Sequence, residues 1–198
     1  HSVVTGVEWD RQLLEQRRDG RATTLATGAT SNNLLGEQFP LRDLPETTYD
    51  EVGIYLENEL TWNVFALIPG LRWDGFWLDA HDDPVFAAPD RLTDLRDDEV
   101  SFRVGLTARP LDRLTLYVNW AEGFRAPPPE DVNLRIDIPQ FNVVSLPNPD
   151  LRPEESNNIE GGLRWRGDGL RLDAAGYHSR YDDFIESRAR IGTDPESG

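Results

Sequence analysis

Period-two segments joined by connections that are alternately long and short constrain this chain more than any other feature. Over 98–109, Val100, Phe102, Val104, Leu106 and Ala108 alternate with Ser101, Arg103, Gly105, Thr107 and Arg109. Over 114–120, Leu114, Leu116, Val118 and Trp120 alternate with Thr115, Tyr117 and Asn119. Successive side chains of a strand point to opposite faces, so each segment reads as a β-strand with one apolar and one polar face. The pattern recurs over 49–62, where Val52, Ile54, Leu56, Leu60 and Trp62 oppose Glu51, Tyr55, Glu57, Glu59 and Thr61, with Asn58 breaking the apolar face once. It continues through 64–78, where Pro69 interrupts Phe65, Leu67, Leu71, Trp73 and Trp77, and through 154–166, 169–181 and about 3–11. The periodicity predicts an all-β antiparallel meander. Near Gly176-Tyr177 the phase is lost, which predicts a bulge. No segment carries a helical pattern, and Leu13–Arg18 reads as loop.

The connections run long at 12–47, short at 62–64, long at 79–97, short at 110–113, long at 124–153 and short at 166–169. A soluble sandwich can also have long loops, but strict alternation matches a membrane barrel with short turns at one rim and long loops at the other. In that arrangement Glu51, Glu57, Glu59, Arg103, Arg109, Glu160 and Arg164 face the lumen, and the apolar set faces lipid. Trp62, Trp120 and Trp165 fall near strand ends, where aromatic belts sit. No stretch approaches the roughly 18 apolar residues of a membrane helix, a test that says nothing about strands.

Composition removes several classes of chemistry. Thirty-six acidic residues against twenty basic ones give a formal charge of −16, which argues against a surface built for nucleic acid. With no Cys, there is no disulfide frame, thiolate metal site or thiol nucleophile. His1, His81 and His178 lie in no nucleophile motif, and no Gly-rich phosphate loop opens a helix, so no catalytic residue and no cofactor are expected. Asp79, Asp82, Asp83, Asp90, Asp94, Asp97 and Asp98 crowd the loop at 79–98, but their spacing is not that of a calcium loop; a solvated acidic loop is expected, and no metal. The twenty basic residues are all Arg, read as codon bias ahead of clamps for an anionic ligand. The chain has no Met and opens in mid-pattern at His1-Ser2-Val3-Val4, as a fragment would.

Two blocks carry a family resemblance. Gly123-Phe124-Arg125-Ala126-Pro127 leaves the strand ending at Tyr117–Glu122, and Asn148-Pro149-Asp150-Leu151-Arg152-Pro153-Glu154-Glu155 precedes the next strand. In this order, with a loop between, they resemble the paired boxes of TonB-dependent outer-membrane receptors, most closely the haem, haemoglobin, transferrin and lactoferrin branch. The resemblance implies that 1–198 is part of a receptor barrel of about 22 strands, contributing about seven of them, with the plug domain outside this stretch. It further implies an outer-membrane location, with short turns periplasmic and long loops extracellular. The implied activity is import of iron-bearing cargo without covalent chemistry, energised through a TonB complex that engages the plug. Haem or a haem protein is the leading cargo, a ferric siderophore the runner-up, and a soluble β-sandwich binding module the reading from another class. In haem receptors of this branch a loop His between the boxes ligates the iron, whereas 128–147 holds neither His nor Tyr, so the cargo is not inherited with the family. Phe124, Arg125, Ala126, Pro127, Asn148, Pro149, Asp150 and Leu151 are the motif and possible cargo-loop positions. Independently of family, the prolines remove ladder donors and restrict the residues before them, fixing where the loop departs and returns.

Overall fold

The computed structural model describes residues 1–187 except 35, 87, 89–91 and 139–142, together with 189 and 192. Seven long strands form one antiparallel sheet in chain order: β1 (Ser2–Leu14), β2 (Thr47–Trp62), β3 (Phe65–Ala80), β4 (Leu95–Leu111), β5 (Leu114–Arg125), β6 (Glu154–Gly167) and β7 (Leu170–Asp182). Every expected strand is present. Three two-residue turns close one end of the sheet, at Asn63-Val64, Asp112-Arg113 and Asp168-Gly169, while 15–46, 81–94 and 126–153 connect the other. Asn63 at φ 50° and Gly169 at φ 79° supply the left-handed backbone that tight hairpins use.

Registry carries the apolar pattern across the wall. Val7 faces Ile54, Ile54 faces Trp73 and Trp73 faces Val100; one row away, Leu56, Leu71 and Phe102 line up. Leu106, Val118 and Gly161 continue this surface on β4 to β6. None of it is covered: Ile54 is 49% exposed, Phe102 49% and Val118 48%. A sandwich would bury this face against a second sheet; among the described residues no sheet covers it, so the soluble alternative is not favoured, and lipid is the fitting solvent for the central rows of this face.

The height of the apolar face agrees. From Val52 to Trp62 the strand rises about 33 Å, which a barrel tilt of about 40–45° reduces to about 25 Å, the thickness of an outer-membrane apolar band. Trp62, Phe65 and Trp165 lie at its short-turn border. At the other border Trp9 donates its indole N–H to Asp50 at 3.0 Å, Trp73 to Asp98 at 2.9 Å and Trp120 to Asn157 at 3.0 Å. Trp9 belongs to the row that reaches β4 at Asp98, whereas Trp120 faces Val104, six residues further along β4. The border therefore drops about 20 Å over four strand spacings of about 4.8 Å, which corresponds to a tilt near 45°.

Two local expectations are corrected. Pairing of β6 with β7 runs unbroken through Gly161↔Gly176 and Glu160↔Tyr177, so no bulge lies there. The pattern fades because His178, facing Ile159, marks the point where β7 leaves the apolar band. The register shift occurs instead between Ala108 and Leu111, at Arg109-Pro110, where a residue without an N–H is best tolerated. One helical turn also forms, α1 (Pro129–Asn133), with Pro at its start and Glu130 and Asp131 in its first turn, the composition that favours helix N-termini.

Candidate functional site

The buried core lies under the long-loop rim. Tyr49, Phe76, Leu78, Ala126 and Val132 form it, and Leu14, Leu95, Phe124 and Leu151 pack against it. Both boxes thus contribute to one cluster. Phe124 turns onto Phe76 with ring centroids 6.2 Å apart, Ala126 is buried, and Pro127 is fully buried. Arg125 donates to Glu154 at 3.0 Å. In the second box, Leu151 is half-buried against the core, whereas Asn148, Pro149 and Asp150 are exposed. Asn148 accepts from the Asp150 N–H at 3.2 Å, forming an Asx turn, and its own N–H reaches the Asp131 carbonyl at 3.4 Å. The anchored half of each box is therefore structural, and Asn148-Pro149-Asp150 are the members that present themselves outward.

Residues outside the boxes tie the connections together. Asn133 is fully buried; its Oδ1 accepts from the Thr93 N–H at 3.0 Å and its Nδ2 donates to the Thr93 carbonyl at 2.8 Å. Both of its polar ends are used, as burial demands. Glu154, 7% exposed, holds Arg125 through one oxygen and the Ile185 N–H at 2.8 Å through the other. The sequence signal for Asn133 was its place at the end of a Pro-initiated, acid-opened turn; Glu154 stood within the second block without being singled out.

The 15–46 connection is ordered around two arginines. Arg18 holds Glu37 at 2.7 Å and Asp43 at 2.9 Å, and Arg42, 8% exposed, holds Glu15, Glu46 and Asp83. Hydrogen bonding to Glu46 raises the Arg42 pKa above its ordinary value against the opposing effect of burial, and hydrogen bonding to Glu37 does the same for Arg18. The Arg42 N–H donates to the Val85 carbonyl and the Arg135 N–H to the Asp43 carbonyl, each at 2.8 Å. The first, second and third long connections are thereby linked. Asp83 and Asp94 are correspondingly not free members of a solvated acidic loop: Asp83 is buried beside Arg42, and Asp94 accepts from the Ala80 N–H at 2.9 Å. Asp90 lies outside the described residues. Among the described residues no three His, Cys, Asp or Glu gather as a metal site. His81 contacts the Thr48 hydroxyl at 2.9 Å.

On the polar face, long side chains lie flat across glycines. Arg72 passes over Gly53 to reach Glu8 at 2.8 Å and holds Asp74 at 2.7 Å; Arg103 passes over Gly70 to pair with Glu57. A Cβ at Gly70 would lie 2.7 Å from Arg103 Cγ, and one at Gly162 would lie 2.6 Å from the Ala174 carbonyl oxygen. Of the expected lumen residues, Glu57, Arg103, Glu160 and Arg164 take part in this lattice, with Tyr117 donating to Glu160 at 2.8 Å and Arg164 stacked 5.0 Å from the Tyr117 ring. Glu8, Arg72, Phe76, Phe124 and Arg125 line a recess of about 300 Å³ between this lattice and the loops.

A one-sheet wall with an uncovered apolar band, tryptophan borders, a polar inner lattice and all its long connections at one rim defines part of a transmembrane β-barrel of outer-membrane type. The TonB dependent receptor-like β-barrel family model matches residues 1–197, and the chain belongs to that family of outer-membrane receptors. It is 30% identical over 128 residues to Hemoglobin-haptoglobin utilization protein B of Neisseria meningitidis serogroup C, a match that covers 62% of this chain and 16% of that protein. It is 31% identical over 86 residues to a probable hemoglobin and hemoglobin-haptoglobin-binding protein 4 of Haemophilus influenzae, covering 43% of this chain and 8% of the relative. Among solved structures it superposes on the copper transporter OprC with a TM-score of 0.67 and 25% identity, over 92% of this chain and 28% of that one. It also superposes on the Serratia marcescens hemophore receptor HasR, in complex with its hemophore HasA and heme, with a TM-score of 0.62 and 18% identity, over 93% and 33%. The chain thus spans about a sixth or less of these curated relatives.

Proposed function

We propose that this wall belongs to a receptor that imports haem iron taken from a haem protein. The similarity to haemoglobin–haptoglobin utilization and binding proteins, 30% identical over 128 residues in one case, carries the reading. Two features of the site support it. The three long connections are linked into one broad surface, which suits a protein cargo, while the recess beneath is at the small end of ligand pockets, about 300–1,000 Å³. No His or Tyr lies between the boxes, so axial ligation of haem iron falls to other parts of the receptor, and the exposed Asn148, Pro149 and Asp150 are left to contact the protein portion of the cargo. Copper, the cargo named for OprC, is disfavoured in this stretch because Cys and Met, the soft ligands that select Cu(I), are absent.

In this mechanism the long connections face outward, capture cargo and stay linked. A plug domain elsewhere in the parent protein blocks the lumen until a TonB complex pulls on it, and the Glu8–Arg72–Asp74 and Glu57–Arg103 pairs form the polar wall past which cargo moves. No covalent step is required of these residues. Equilibrium binding of haemoglobin, haemin, a ferric siderophore and Cu(I) to the full-length receptor tests the reading. Haemoglobin is expected to bind and to be competed by haemin weakly or not at all; tight binding of the siderophore or copper with none of haemoglobin would overturn it.

A further inference from the structure

β4 and β5 part company at the long-loop end. Their pairing stops at Arg103↔Ala121, yet β4 continues back to Leu95 on β3, and β5 continues to Arg125 on β6. The reason lies in the first box: Phe124 packs against Phe76 of β3 and Pro127 is fully buried, so the end of β5 is drawn onto the core and away from β4. Residues 96–100 are all exposed, and among the described residues no strand pairs with their β5-facing side.

That edge has backbone groups to satisfy. The Phe102 N–H, which points toward β5, donates to the side chain of Glu122 at 3.0 Å instead of a ladder carbonyl. Ladder alternation puts the N–H and C=O groups of Arg96, Asp98 and Val100 on the same side. The Asp98 N–H is capped by the Asp97 carboxylate at 2.9 Å. Carboxylate caps are a way to blunt an exposed edge, and the split begins beside Trp120, at the border of the apolar band, beyond which water can hydrate open backbone. About 20 Å of strand is left available, enough for six residues. Asp97, Asp98, Glu99 and Glu122 surround it against the single Arg96.

The geometry points to this split as a strand-addition site for an extended segment of a partner protein with basic side chains at alternate positions. Main-chain pairing with Arg96, Asp98 and Val100 supplies the affinity, and Asp97 and Glu99, which share one face of β4, select the charge on the matching face of the incoming strand. The incoming backbone displaces the Asp97 cap. The site stands apart from the cargo reading and holds whichever cargo the receptor carries.

The test uses the full-length receptor and a capped peptide, Arg-Val-Arg-Val-Arg-Val-Arg, with a version carrying Pro at its three central alternate positions and a Glu-for-Arg version as controls. Fluorescence anisotropy should show binding of the first at least ten-fold tighter than of either control, with slowed amide exchange at Asp98 and Val100. Val100→Pro removes a donor from the free side only, sparing the β3 ladder, and should weaken binding at least ten-fold. Asp97→Asn, which leaves the backbone unchanged, should weaken it less and in a salt-dependent way. Equal binding of the Pro-containing peptide, unchanged affinity in a folded Val100→Pro receptor, or protection confined to other strands would overturn the proposal. So would a basic peptide held by charge alone, seen as binding without any amide protection.

Discussion

Arg125 and Glu154 are the last register pair of β5 and β6, and the Arg125 guanidinium donates to Glu154 Oε2 at 3.0 Å while Oε1 takes the Ile185 N–H at 2.8 Å. One buried carboxylate therefore joins the exit of the first box, the entry from the second and the segment after β7. Glu154→Ala leaves the Ile185 N–H without its partner. The expected cost is about 1–3 kcal/mol, measured as a lowered denaturation midpoint of the receptor in lipid, with faster amide exchange at Ile185. Unchanged exchange there would show that the carboxylate does not hold this segment.

Asn133 offers a sharper case. Asn133→Leu keeps the branched shape of a fully buried side chain but leaves both the N–H and the carbonyl of half-buried Thr93 without their partner. A loss of about 2–4 kcal/mol is expected for two unpaired groups, together with detachment of α1 from the start of β4. Asn133→Asp retains the acceptor for the Thr93 N–H but buries a carboxylate and sets its second oxygen against the Thr93 carbonyl, so at neutral pH it should cost at least as much. Denaturation of the two variants side by side checks this order.

Substitution of Gly70 by Val should separate Arg103 from Glu57, because a Cβ there would sit 2.7 Å from the Arg103 side chain. The pair is largely exposed, so its loss costs little stability, within about 1 kcal/mol. The readout is the charge of the wall: reconstituted channels emptied of plug should change their cation selectivity, while the unfolding midpoint barely moves.

Leu71 lies on the lipid side of β3 between Leu56 and Phe102, one lipid-facing position inside the Trp73 border, so the cost of a charge there sits at the lower end of the midplane range. Leu71→Arg is expected to destabilise the barrel by about 2 kcal/mol, read by folding titrations into lipid vesicles. An effect below about 1 kcal/mol would mean that Leu71 lies outside the hydrocarbon.

The strands were legible because lipid on one face and water on the other force a period-two contrast wherever both are present. Val100 to Ala108 and Leu114 to Trp120 show it in full. Where a strand rises above the band the contrast disappears, as at Gly176 to His178, and an absent bulge was inferred there; Pro110 marked the real register shift. The 15–46 connection was opaque for another reason. Arg42 gathers Glu15, Glu46 and Asp83 from two different connections, and no local pattern announces a partnership between residues 27 and 41 positions apart. At the site, the boxes were recognisable as sequence, but their division of labour was not. Burial separates Phe124, Ala126, Pro127 and Leu151, which anchor, from Asn148, Pro149 and Asp150, which face outward. Only the folded loop reveals Asn133 and Glu154 as the groups that hold them in place.

The two-residue turns have a bearing on how such a wall can diversify. Each of the three hairpins closes through a pair such as Asn63-Val64 or Asp168-Gly169, where an extra residue would shift the register and exchange the lipid and water faces of a whole strand. Length variation is thus filtered out at that rim and admitted at the opposite one, where the connections are already long. Insertion of a foreign segment meets the same asymmetry: new surface can be added only on the side where 15–46, 81–94 and 126–153 lie, and there the exposed Asn148-Pro149-Asp150 turn is a better point of insertion than the buried Pro127 or Asn133.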